Sequence, residues 1–131
     1  MAVRVLLVDD DERWRKTCRI LLRVAGDLEI AGEAENGREG CDMARSLKPD
    51  VVVMDISMPV MDGRKALKEL TACMPDLPVV MLSMHCEPSY IRGCQASGAR
   101  GYVLKDRAAE DLVDVIRNAV ARGPFLSPGS C

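Results

Sequence analysis

Four places in this 131-residue chain put a chemically able side chain directly after a short apolar run. Val8 is followed by Asp9, Asp10 and Asp11, Met54 by Asp55, Leu82 by Ser83, and Leu104 by Lys105. Each is weak alone. An acidic triplet at a helix start more often caps the helix and complements its dipole, and a strand-end Asp, Ser or Lys is more often a turn residue. Brought into one crevice, they would make a site. Two carboxylates ~4 Å apart repel by about 4 kcal/mol at an effective dielectric near 20. Asp9, Asp10 and Asp55 together would therefore raise one another's pKa unless a cation neutralised them. An all-oxygen donor set with no His or thiolate suits a hard ion, Mg2+ first and Mn2+ as the alternative. Magnesium takes one or two carboxylates plus phosphoryl oxygens and keeps several waters. Lys105 adds a mobile positive charge and Ser83 a hydroxyl donor. A carboxylate nucleophile, a metal, a lysine and a hydroxyl constitute a phosphoryl-accepting site.

The surrounding sequence supplies elements that can position these groups. Apolar runs at Val3 to Val8, Leu28 to Ala34, Val51 to Met54, Val79 to Leu82 and Gly101 to Leu104 lack strict alternation, as strands buried on both faces do. Helical patterns lie between them. Trp14, Cys18, Leu21, Leu22 and Ala25 share one face of a helix that stops at Gly26, with Arg15, Arg19 and Arg23 as a solvated stripe opposite. Asn36 caps a second helix that ends before Pro49. Ala66, Leu67, Leu70 and Met74 mark a third. Ile91 and Cys94 mark a weak fourth, broken by Gly93, and a fifth runs from Ala108 to Ala121. Fivefold β-α alternation with right-handed crossovers predicts an α/β fold: a single doubly wound, five-stranded parallel sheet of flavodoxin-like order 2-1-3-4-5, with five helices. Its working crevice lies at the carboxyl ends of strands 1 and 3, where Asp9, Asp10 and Asp55 fall.

Composition narrows the classes further. Apolar residues are 48% and charged ones 29%, a globular balance, and the net charge of −2 gives the whole chain no drive toward nucleic acid or anionic membrane. The apolar runs are far shorter than the ~20 residues that span a bilayer, and the amino terminus lacks the pattern of a secretory signal. Six scattered cysteines, with no C-x-x-C pair, predict free thiols in a reducing compartment, hence a cytoplasmic location. Residues 122–131, with two prolines and two glycines, read as a linker after a domain spanning residues 1–121.

Val8-Asp9-Asp10, Asp55-Ile56-Ser57-Met58-Pro59-Val60-Met61-Asp62-Gly63, Val79 to Ser83 and Gly101 to Lys105 also resemble, in order and spacing, the receiver domain of two-component response regulators. The resemblance covers residues ~3 to 121, and its segment D-x-x-M-P-x-M-D-G is highly specific. It implies that Asp55 accepts a phosphoryl group from a sensor histidine kinase or a small phosphodonor. It also implies that Asp10, Asp55, the backbone carbonyl of Ser57 and, through water, Asp9 bind Mg2+. Lys105 would contact the phosphoryl group, and Ser83 and Tyr102 would form the switch, with Tyr102 filling from outside the space that Ser83 vacates. The response then spreads to the face of helix 4, strand 5 and helix 5, with phosphorylation-dependent homodimerisation as its expected consequence. The chain departs from the pattern in three places. Met84 stands where a small residue is usual and is expected to shield the phosphoryl group from water. His85 is the chain's single histidine, read as a loop residue beside the site. Asp106 replaces the common proline after Lys105. With G-Y-x-L-K-D and the later G-P-F-L-S-P, the sequence resembles receivers that precede a LuxR/NarL-type helix-turn-helix domain, so DNA would be met only through a domain absent from this chain. A stand-alone receiver is the alternative. The Arg15, Arg19 and Arg23 stripe is a second candidate surface, for an acidic kinase partner. A haloacid-dehalogenase-type phosphatase would want Asp at position 57, and a flavodoxin-like cofactor binder a hydroxyl-rich loop after strand 1. A pseudo-receiver would lack the acceptor or the lysine.

Overall fold

Burial of four apolar runs on both faces of one sheet, with a fifth, half-buried run (Leu28–Ala34) at its edge, dictates the architecture, which a computed structural model describes for residues 2–128. The strands are β1 (Val3–Val8), β2 (Leu28–Ala34), β3 (Val51–Asp55), β4 (Val79–Ser83) and β5 (Gly101–Leu104). The helices are α1 (Glu12–Ala25), α2 (Gly37–Leu47), α3 (Gly63–Cys73), α4 (Pro88–Ala96) and α5 (Ala108–Val120). All strands pair in parallel in the order β2-β1-β3-β4-β5, as predicted.

Strand alternation divides the interior into two cores. Leu6, Val8, Val52, Met54, Met81 and Tyr102 face α2, α3 and α4, while Val5, Leu7, Val53, Leu82 and Val103 face α1 and α5. Helix ends follow their capping residues. Asp11 accepts from the Arg13 amide and Asn36 from the Glu39 amide. Gly26 closes α1 in the left-handed region at φ 83°.

Several expectations need correcting. β3 and β4 each extend one residue further, so Asp55 and Ser83 occupy the last positions of the ladder. α4 is not broken at Gly93 but continues to Ala96. Gly93 there makes room for the Arg64 guanidinium, because a Cβ would lie 2.6 Å from its terminal nitrogen. Arg15 does not belong to a solvated stripe: it is buried. Among the described cysteines Cys18, Cys41, Cys73 and Cys94 are free thiols, but Cys86 is disulfide-bonded. The expectation for Cys131 lies outside the described residues. After α5, Arg122 turns through φ 60° and the chain doubles back, so that Leu126 bridges Gly101 alongside β5. No helix among the described residues is long and apolar enough to cross a membrane.

Candidate functional site

Register places the chemistry. Val8 lies opposite Met54, Asp55 opposite Leu82, and Ser83 opposite Leu104, so the strand tips deliver Asp9, Asp55, Ser83 and Lys105 side by side. Alternation then sorts them. Asp9, Asp55 and Lys105 share the parity of Leu7, Val53 and Val103, toward α1, whereas Ser83 and Tyr102 share the parity of Met81, toward α4.

On the α1 side Lys105 Nζ lies 2.9 Å from Asp9 Oδ2 and 3.4 Å from Asp55 Oδ2, with all three residues buried. Asp10 is exposed at the rim, and carboxylate oxygens of Asp9, Asp10 and Asp55 all fall within 4.8 Å of one another. Burial, then the charge of Asp9, raises the Asp55 carboxyl to about 6, against the opposing pull of Lys105. Asp9 Oδ2 sits at ion-pair distance from Lys105, yet no donor is aligned on it as a hydrogen bond. Three carboxylates whose oxygens gather in one all-oxygen cluster fit a hard divalent ion. Asp9 is fixed by its own backbone. Its amide donates to the Ala34 carbonyl, and its carbonyl accepts from Arg15 Nη1 at 2.5 Å. Arg15 is pinned in turn by Glu12 and Glu33, which also hold Arg19, so these two arginines are neutralised within the fold and only Arg23 of the stripe stays exposed.

On the α4 side the Ser83 hydroxyl accepts from the His85 amide at 3.0 Å, and the Tyr102 hydroxyl donates to the His85 carbonyl at 2.7 Å. The Tyr102 ring is already 1% exposed, so the space it was expected to fill from outside is occupied. A buried phenol needs a partner for its hydroxyl, and the His85 carbonyl supplies it. The His85 ring stacks on Tyr90, with centroids 4.2 Å apart, and its Nε2 is 3.4 Å from Ser57 Oγ. His85 is thus built into the loop. Met84 is 66% exposed. Sequence reasoning did not single out Trp14, Arg15 or Tyr90 as site residues: Trp14 meets Lys105 and Arg15 meets Glu33 across long stretches of chain, and the stacking of Tyr90 on His85 depends on the fold of the loop before α4.

The strand tips thus gather three carboxylates, a buried lysine and a hydroxyl. The sequence pattern of the response regulator receiver domain matches residues 5–117. The chain belongs to that family. As a receiver domain it is 37% identical over 128 residues to the response regulator protein VraR of Staphylococcus epidermidis, covering 98% of this chain and 61% of that protein. It is 29% identical to the transcriptional regulatory protein DegU of Brevibacillus brevis, covering 96% and 53%. The receiver thus spans little more than half the length of these curated relatives. Among solved structures, a LuxR-family two-component response regulator from Aurantimonas matches with a TM-score of 0.92 at 27% identity, covering 98% of this chain and 91% of that one. The response regulator domain of Thermotoga maritima CheB matches at 0.87 and 29%, covering 95% and 100%.

Proposed function

We propose that this receiver domain takes a phosphoryl group onto Asp55 from a phosphohistidine of a sensor histidine kinase or from a small phosphodonor. The observation that carries this reading is the buried Asp55 carboxylate, held beside Lys105 and two further carboxylates. An Asp55 oxygen attacks phosphorus; the new O–P bond forms as the donor's N–P or O–P bond breaks, and the leaving group departs with that electron pair. Lys105, already between Asp9 and Asp55, is placed to meet the negative charge that gathers on the transferred group. Mg2+, held by Asp10, Asp55, the Ser57 backbone carbonyl and, through water, Asp9, would neutralise the acidic cluster and the phosphoryl oxygens.

Ser83 is suited to respond. Its lone pair takes the His85 amide, so its own hydrogen can turn to a phosphoryl oxygen. A shift of Ser83 would move His85, and with it the carbonyl that holds Tyr102, toward the face of α4, β5 and α5. That face is the candidate surface for homodimerisation. By likeness to relatives named as transcriptional regulators, the receiver would act in the cytoplasm on a helix-turn-helix output domain that makes the DNA contacts. Incubation with acetyl phosphate and Mg2+ tests the reading by intact mass. One phosphoryl group is expected, absent in Asp55→Asn and when the metal is chelated; a modified Asp55→Asn protein would overturn it.

A further inference from the structure

Lys105 has a third partner besides the two carboxylates. Its ammonium stands over the ring of Trp14, 5.2 Å from the centroid, within the ~6 Å at which an aromatic face attracts a cation. Trp14 is the only tryptophan of the chain. It sits in the first turn of α1 because Asp11 caps the helix there, and α1 packs on the same sheet face to which Asp9, Asp55 and Lys105 belong. Its ring joins Asp9, Val53 and Leu82 in closing a space of about 10 Å³ beneath the strand tips, room for one water at most. Lys105 is 6% exposed, so the indole face stands where solvent would otherwise meet the ammonium.

We propose that Trp14 is a positioning residue for phosphoryl transfer, its indole face holding the Lys105 ammonium between Asp9 and Asp55. The proposal rests on the reading of Asp55 as the acceptor. Two properties of the contact fit the task. A lysine side chain has four flexible carbons and settles on whichever anion is nearest, here Asp9. An aromatic face attracts the ammonium without a directional hydrogen bond, so the charge can pass from Asp9 toward Asp55 and its phosphoryl group without losing its support. The neighbouring cations are committed elsewhere: Arg13 is paired to Asp11, and Arg15 and Arg19 to Glu12 and Glu33, which leaves Lys105 to serve the acceptor.

A graded test uses the full chain with acetyl phosphate and saturating Mg2+, following phosphorylation by intact mass. Trp14→Leu is expected to react about tenfold more slowly and Trp14→Phe to recover most of the loss, as an aromatic face recovers part of the attraction. Replacing the single tryptophan biosynthetically by singly and multiply fluorinated tryptophan weakens the ring's attraction with little change in shape, and the rate should fall stepwise with fluorination. Trp14 emission should also change on phosphorylation of the wild type and not in Asp55→Asn treated alike. Equal rates across the fluorinated series, or Trp14→Phe as slow as Trp14→Leu, would overturn the proposal. So would an emission indifferent to phosphorylation. If the wild type itself gains no phosphoryl group, it is the Asp55 reading that fails, and the two failures are distinguishable.

Discussion

Asp55 owes its chemistry to its neighbours. Burial and the charge of Asp9 lift its carboxyl from the ordinary 3.8 to about 6, so the folded protein holds this proton more tightly than the unfolded chain does. For a carboxyl raised on folding, the ionised form costs stability: the cost is fully present above pH 6, fades as pH falls through 6, and is gone below about 4. Asp55→Asn is therefore expected to melt higher than wild type at pH 7 to 8 in metal-free buffer, with the difference closing as pH falls toward 4. Thermal melts across that range check it, and a difference independent of pH would contradict it. Mg2+ should raise the wild-type melting temperature more than that of Asp55→Asn, since the substitution removes a ligand charge. Arg15 teaches the converse lesson. Its place opposite the apolar stripe of α1 reads as solvated, yet Glu33 on β2 and the Asp9 carbonyl draw it inside, where it braces the acidic tip.

The segment between β3 and α3 holds the acceptor in place. The Gly63 amide donates to the Ile56 carbonyl at 2.7 Å, and a Cβ on Gly63 would collide with the Asp55 carbonyl oxygen. The geometry thus gives this glycine of the D-x-x-M-P-x-M-D-G segment a steric reason. Gly63→Ala must push backbone off backbone directly beneath the acceptor, at a cost of about 2 to 4 kcal/mol by analogy with severe overpacking. Urea unfolding should show that loss, and phosphorylation by acetyl phosphate should slow as well; a variant of wild-type stability would contradict the account. α4 shows the limit of local reasoning. A helix-interior glycine costs roughly 1 kcal/mol, which suggested a break at Gly93. The Arg64 guanidinium of α3 rests against Gly93, so a larger residue there would displace only the end of that flexible side chain.

Across the whole molecule, the chain beyond α5 is part of the sheet's edge. The Tyr102 amide donates to the Leu126 carbonyl at 3.0 Å, Asn118 donates to the Pro124 carbonyl at 2.8 Å, and Phe125 and Leu126 pack against the two opposite cores. An edge strand left open exposes unpaired backbone groups, and this segment covers part of β5. Leu126→Asp is expected to cost about 1 to 2 kcal/mol through lost apolar burial and to speed hydrogen exchange at the Tyr102 amide. Unchanged exchange there would show that the segment does not protect β5. Tyr102 thereby touches both the His85 loop and the returning chain, a connection between residues far apart in sequence.

The strand order, the helix caps at Asn36 and Gly26 and the meeting of Asp9, Asp55 and Lys105 were legible from the amino-acid sequence alone. Apolar periodicity, capping chemistry and crossover handedness are local or topological constraints that leave few alternatives. Tertiary structure alone decided the inward turn of Arg15, the contact of Trp14 with Lys105, the interior position of the Tyr102 ring, the disulfide at Cys86 and the return of Leu126 to β5. Each depends on where a long side chain or a returning segment finds its partner, and such partners are brought together only when the strands stack and the helices pack across them.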